Sequence, residues 1–144
     1  ELREMLTYIK KVDMQNPRLD FSYNWNNKLK CLSFSTLRLW NEDKYYKGRM
    51  VDTYLKGQYM FQAEIMHCSR VPYKNLTEPM AYIDTGYSLY ELKDILRKMY
   101  WDKYKERGDD MALGFYILKR KISMQSALPF STTNNNENNE QNGQ

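Results

Sequence analysis

Two short polar stretches put rings beside cations. Asn24 to Leu29 contains Trp25, Asn26, Asn27 and Lys28, and Trp40 to Gly48 contains Trp40, Lys44, Tyr45, Tyr46 and Lys47. Between them the run Ser35 to Trp40 carries Thr36 and Arg38. Ammonium and guanidinium groups hold phosphates, indole and phenol rings or a guanidinium plane stack on unstacked bases, and Asn both donates to and accepts from base edges. The chemistry this set could do is binding of single-stranded RNA, single-stranded DNA or a nucleotide. The site residues expected on this ground are Trp25, Asn27, Lys28, Thr36, Arg38, Trp40, Lys44, Tyr46 and Lys47. A plainer reading stands beside it: Trp25 and Tyr46 as packing, Lys44 and Lys47 as a solvated turn, and Arg38 paired with a carboxylate such as Asp84 or Glu64.

These residues need a scaffold. At 144 residues and 42% hydrophobic, the chain can bury one core. Three regions follow from composition: a helical extension over 1–16, a domain over 17–122, and an Asn/Gln-rich tail over 123–144, read as disordered because it offers little apolar surface to bury. The tail holds two acids and no Lys or Arg, so a net charge of +4 for the chain leaves +6 on the rest. That excess favours an anionic partner without naming one. The apolar runs are far shorter than a membrane span, so no membrane partner is expected and a cytoplasmic location is. Cys31, Cys68 and His67 supply no metal-ligand spacing, so the expectation is reduced thiols, no metal and no cofactor.

Periodicity supplies the elements. Leu2, Met5, Leu6 and Ile9 fall at helical spacing. Leu19, Phe21 and Tyr23 alternate as a strand, as do Cys31 to Trp40, which places Phe34, Thr36, Arg38 and Trp40 on one face. Lys56-Gly57 is a tight hairpin turn between a strand at Met50 to Lys56 and a longer one at Tyr59 to Arg70, with Phe61, Ala63, Ile65 and His67 on one face and Cys68 on the other. Thr77-Glu78-Pro79 begins a helix with Met80 and Ile83 inward. Ser88-Leu89-Tyr90-Glu91 is a capping box opening a helix whose apolar side is Leu89, Leu92, Ile95, Leu96 and Met99. Asp102 to Asp110 reads as a charged loop and Met111 to Leu118 as the closing strand. Short strands with helices clustered before the last one give an α+β, small-barrel domain.

The ordered series LDFSYNWNNKL, FSTLRL, YYKGRMVDTYLKG, QAEIMHCSRV, DTGYSLYELKDILRKMY and LGFYILKR resembles the layout of ASCH domains, which are PUA-like β-barrels, over about Leu19 to Lys121. Thr36-Leu37-Arg38 with Lys47-Gly48 is the most specific part. The resemblance implies a small PUA-like barrel with peripheral helices and a cleft that takes RNA or a nucleotide. It also implies two enzymatic alternatives: a ribonuclease, and an amidohydrolase that deacetylates N4-acetylcytidine with a Lys three residues before the Thr, that Thr, and a Glu ahead of the capped helix. Thr36 matches the Thr, Asp84 stands at or beside the Glu position, and Ser33 stands where the Lys would be. With no amine at Ser33 the Thr36 hydroxyl lacks its base, and Lys30 projects to the other strand face. A further alternative is a protein-interaction module that keeps only the fold. Within the tail, Gln125 to Phe130 (QSALPF) resembles peptides that dock on the bacterial replication sliding clamp, which would make it a protein-partner motif.

Overall fold

The computed structural model describes residues 1–5 and 15–122. Residues 2–5 are helical, the rest of the expected N-terminal helix lies outside the described residues, and so do the tail and Gln125 to Phe130. Five strands form one sheet in the order β1-β3-β4-β5-β2: β1 (Arg18–Phe21), β2 (Ser33–Leu39), β3 (Met50–Leu55), β4 (Gln58–Pro72) and β5 (Ala112–Arg120). β1 runs parallel to β3, and the other pairs are antiparallel. The fold is α+β, as the sequence predicts. No helix among the described residues is long and apolar enough to cross a membrane.

β4 makes the sheet curl. Its first half pairs with β3 (Met50↔Glu64 to Leu55↔Gln58) and its second with β5 (Ala63↔Arg120 to Pro72↔Ala112). One 15-residue strand therefore serves two neighbours at opposite ends. The register shifts between Ile65 and His67, a bulge that bends the strand and exchanges its faces. Phe61, Ala63 and Ile65 enter the barrel core, whereas Val71, after the bulge, joins the cluster under the helices. This corrects the simple alternation: His67 does not share a face with Ile65, and Cys68 packs against the barrel core. The β3–β4 turn is as predicted, with Lys56 and Gly57 both at positive φ (51° and 79°), the geometry a two-residue hairpin requires.

Helices cover the other face of the sheet. The helix α1 (Glu78–Thr85) is capped by Thr77 and ends at Gly86, whose φ of 77° is left-handed. Its inward residues are Ala81, Asp84 and Thr85, while Ile83 is exposed. The expected inward Ile83 is thus corrected, because Ala81 and Asp84 set the buried stripe one position away. The helix α2 (Leu89–Met99) has the predicted capping box, with Ser88 Oγ accepting from the Glu91 N–H and Glu91 accepting from the Ser88 N–H. Leu92 and Leu96 are buried beside Leu37, Val71 and Leu113. The predicted charged loop after it is instead a helix, α3 (Trp101–Arg107), continued by a 3-10 turn at Gly108–Asp110. Tyr104 packs on Tyr73 at 5.1 Å between ring centroids and holds it to the body.

Among the described residues, β1 and β2 are the two free edges of the sheet. They meet without strand pairing, and the molecule leaves a seam there.

Candidate functional site

The seam is where the sequence places its unusual loop. In the 3-10 segment Trp25–Lys30, Asn26 and Asn27 both adopt φ 56°, a left-handed conformation that Asn tolerates better than most residues. Asn24 Oδ1 accepts from the Leu29 N–H at 3.0 Å, and Asn26 Nδ2 donates to the Tyr82 carbonyl at 3.2 Å. Tied to α1 in this way, the segment turns Leu29 into the barrel core and drives Lys28 inward. Lys28 is only 6% exposed.

The ammonium finds its partner on α1. Lys28 Nζ lies 2.9 Å from Asp84 Oδ1, and Ser35 Oγ donates to the same oxygen at 2.9 Å. Asp84 is itself buried. Thr36, the next residue of β2, is buried on the opposite strand face, and its Oγ1 accepts from Arg38 Nε at 3.1 Å. Arg38 Nη2 donates at 2.6 Å to the Asp20 carbonyl on β1, so this guanidinium staples the two free edges. Its Cζ also sits 4.7 Å from the Phe21 ring centroid, and Lys28 Nζ lies 5.3 Å from the same centroid.

These groups line one cavity of about 110 Å³, with Trp25 on its wall and Ile95, Leu96 and Tyr100 behind. Trp25 is flanked edge-on by Tyr23 at 4.9 Å and by Tyr87 at 5.5 Å, an aromatic rim. Burial lowers the pKa of Lys28, outweighing the pull of Asp84 in the other direction, and Arg38 lowers it further. Burial raises the Tyr100 hydroxyl, with Arg38 opposing. The cavity therefore holds an amine biased toward losing its proton, a hydroxyl, a carboxylate and a permanent guanidinium charge.

The expected residues separate. Trp25, Lys28, Thr36, Arg38 and Asp84 are brought together. Asn27 is exposed on the rim segment and bonds to Asn24 at 3.3 Å. Trp40 continues the Thr36 and Arg38 face but stacks on Tyr116, centroids 6.0 Å apart and planes 4° from parallel. Tyr45 is buried against that same Tyr116, and Lys44 lies over the Tyr45 ring at 5.1 Å. Tyr46 is exposed beneath Arg49, and Lys47 is exposed. None of Trp40, Lys44, Tyr46 and Lys47 lines the seam cavity, so the two polar loops do not face one another across it.

Ser33 is exposed and does not line the cavity; the amine that does is that of Lys28, from a different segment. Lys30 is exposed and borders a separate groove with Tyr59 and Arg120. The Asp20 carbonyl, Tyr87 and Tyr100 carry no signal in the sequence. One signal was available: Asp84 sits one helical turn from Ala81 on the inner stripe of α1, and an acid on an apolar stripe demands a buried cation.

Among solved structures, an ASCH domain from Lactobacillus crispatus JV V101 superposes with a TM-score of 0.51 at 17% identity, covering 83% of this chain and 94% of its own. The fold is that of an ASCH domain. A protein from Enterococcus faecalis V583, described as DUF984, superposes on this ASCH fold with a TM-score of 0.54 at 14% identity, over 81% of this chain and 88% of its own. No family model matches the sequence, and no curated protein matches it. At these identities the likeness is one of backbone, and the residues of the seam speak for themselves.

Proposed function

We propose that the seam cleft binds a single nucleotide, presented free or as one unstacked residue of single-stranded RNA. The observation that carries this reading is the pairing of two inward cations, Lys28 and Arg38, with the ring of Trp25 around one small cavity. Its volume of about 110 Å³ is below the several hundred usual for whole ligands, so it suits one ring of an extended molecule. A folded or double-stranded nucleic acid has no such ring to offer. Arg38 supplies a phosphate or carbonyl donor, Asp84 accepts from a base edge, and Trp25 stacks. The unpaired Cys31 and Cys68 suit a reducing cytoplasm, where RNA would be met.

Binding of labelled single-stranded RNA across a salt series tests the reading. Saturable binding that weakens with salt and falls about ten-fold or more in Arg38→Ala supports it. Binding that ignores Arg38→Ala and Trp25→Ala sinks it.

The Lys28–Asp84 pair favours a second reading, hydrolysis of an amide carried on a base, as in N4-acetylcytidine. With Lys28 as the base, the Thr36 hydroxyl gives up its proton and its oxygen bonds to the acyl carbon; the acyl C–N bond then breaks, and the cytosine N4 leaves as an amine carrying the proton that Lys28 returns. Water then releases the acyl group as the acid. Chromatography of N4-acetylcytidine after incubation decides it: conversion to cytidine that is lost in Thr36→Ala supports the reading, and unchanged substrate ends it.

A further inference from the structure

Trp40, which the seam does not use, lines a second cavity of about 330 Å³ with Arg70, Lys103 and Arg107. Three elements converge there. Trp40 follows β2, Arg70 comes from the second half of β4, and Lys103 and Arg107 stand one turn apart on α3. Arg70 and Lys103 have no hydrogen-bond or ion-pair partner among the described residues, and the carboxylate beside Arg107 is that of its neighbour Glu106, 3.8 Å away. The acid on the cavity wall, Asp110, is engaged by Lys74 at 2.7 Å. Three cations against one carboxylate that is already paired leave the concavity with an excess of positive charge, which favours an anion.

The position of this cavity says which anion. Leu39 and Trp40 directly follow Arg38, and an extended strand carries Trp40 about 7 Å beyond it. That is comparable to one nucleotide of an unstacked strand. Tyr100 is a wall of the seam cleft, and the Leu39 backbone beside its hydroxyl is a wall of the second cavity. The two cavities therefore meet across the contact of Tyr100 with Leu39.

We propose that the cavity of Trp40, Arg70, Lys103 and Arg107 is a phosphodiester subsite, holding the backbone of the nucleotide next to the one in the seam cleft. This rests on the reading of that cleft as a nucleotide site, and it adds a direction: the strand leaves the seam along β2 toward α3. A ligand spanning both cavities meets Arg38 and three further cations, whereas a free nucleoside meets the seam alone.

The test uses the full chain with a labelled six-nucleotide single-stranded RNA and, separately, cytidine followed by the indole NMR signal of Trp25. Arg70→Ala/Arg107→Ala removes exposed charges, and a thermal melt confirms that this variant folds. The expected result is about ten-fold weaker hexamer binding, with a salt dependence shallower by about 0.7 in log–log slope for each phosphate that the variant no longer neutralises. Cytidine binding stays as in the wild type. Unchanged hexamer affinity and slope in this variant overturn the subsite whatever happens at the seam. A weakened hexamer combined with an indifferent Arg38→Ala keeps the subsite and overturns the seam reading. A wild type that binds cytidine but no hexamer overturns the subsite alone, and one that binds neither overturns both.

Discussion

Asn24 to Lys30 and Trp40 to Arg49 have nearly the same ingredients, and the fold treats them in opposite ways. The first is bent by two left-handed Asn residues and bonded to α1, so its Lys28 is buried against Asp84. The second is anchored by its rings, Trp40 and Tyr45 on Tyr116, and leaves Lys44 and Lys47 in water. Composition alone does not distinguish them. What separates the two lysine environments is the backbone that forces Lys28 inside and the distant element that supplies its counter-charge; Lys44 and Lys47 have neither.

The largest test of this difference removes the counter-charge. Asp84→Ala leaves Lys28 as an unpaired buried charge and Ser35 Oγ without its acceptor, and breaking a buried pair of this kind costs about 3–5 kcal/mol. Urea unfolding should show that loss. Replacing both partners, Lys28→Met with Asp84→Leu, should restore much of it, because no charge is then left to desolvate. A double variant as unstable as the single one would mean that the loss does not come from a stranded buried charge.

Next in size is a substitution aimed at the second region. The ring of Tyr116 lies across Gly114, where an added Cβ would stand 2.3 Å from ring atoms. Gly114→Ala therefore displaces Tyr116 and with it the stacking of Trp40 and Tyr45. A cost of about 1–3 kcal/mol is expected, as for other overpacked cores. A wild-type melting temperature in this variant would show that the cluster repacks freely.

How far the sequence reveals this molecule depends on the range of the interaction. The Lys56-Gly57 hairpin and the Ser88 capping box are legible because their signals span two to four residues. The bulge near Met66 is not, since a single extra residue in β4 changes the faces without changing the composition. α3 reads as a loop because its first turn, Trp101 to Tyr104, shows little apolar periodicity; Tyr104 is instead held by Tyr73, 31 positions earlier. At the site, Thr36 and Arg38 are visible from strand phase. The Lys28–Asp84 pair spans 56 residues and is hidden, although the lone acid on the inner stripe of α1 is its trace.

Titration sharpens the comparison further. Because burial lowers the Lys28 pKa, the folded chain binds fewer protons than the unfolded chain between that lowered value and the ordinary lysine range. Lys28 therefore makes stability rise with pH through that window and opposes folding below it. Tyr100 and Tyr116, raised by burial, act the other way at alkaline pH, so the clean measurement is the wild-type pH profile of stability minus that of Lys28→Met. A positive slope in the difference is expected, and a flat difference would mean that Asp84 offsets the desolvation of the ammonium in full.

The smallest expected effect is the most diagnostic of the second region. Lys44→Ala/Lys47→Ala removes two exposed cations, one of them lying over the ring of Tyr45. Surface changes of this kind fall within about 0.5 kcal/mol. The same double substitution should leave cytidine binding at the seam unchanged, because neither side chain lines that cavity. With RNA it should act only through the general field, a modest loss that disappears as salt is raised past the screening range. A loss as large as that of Arg38→Ala, persisting at high salt, would place Lys44 and Lys47 in direct contact with the strand. The two loops would then be one site after all, brought together by the ligand rather than by the fold.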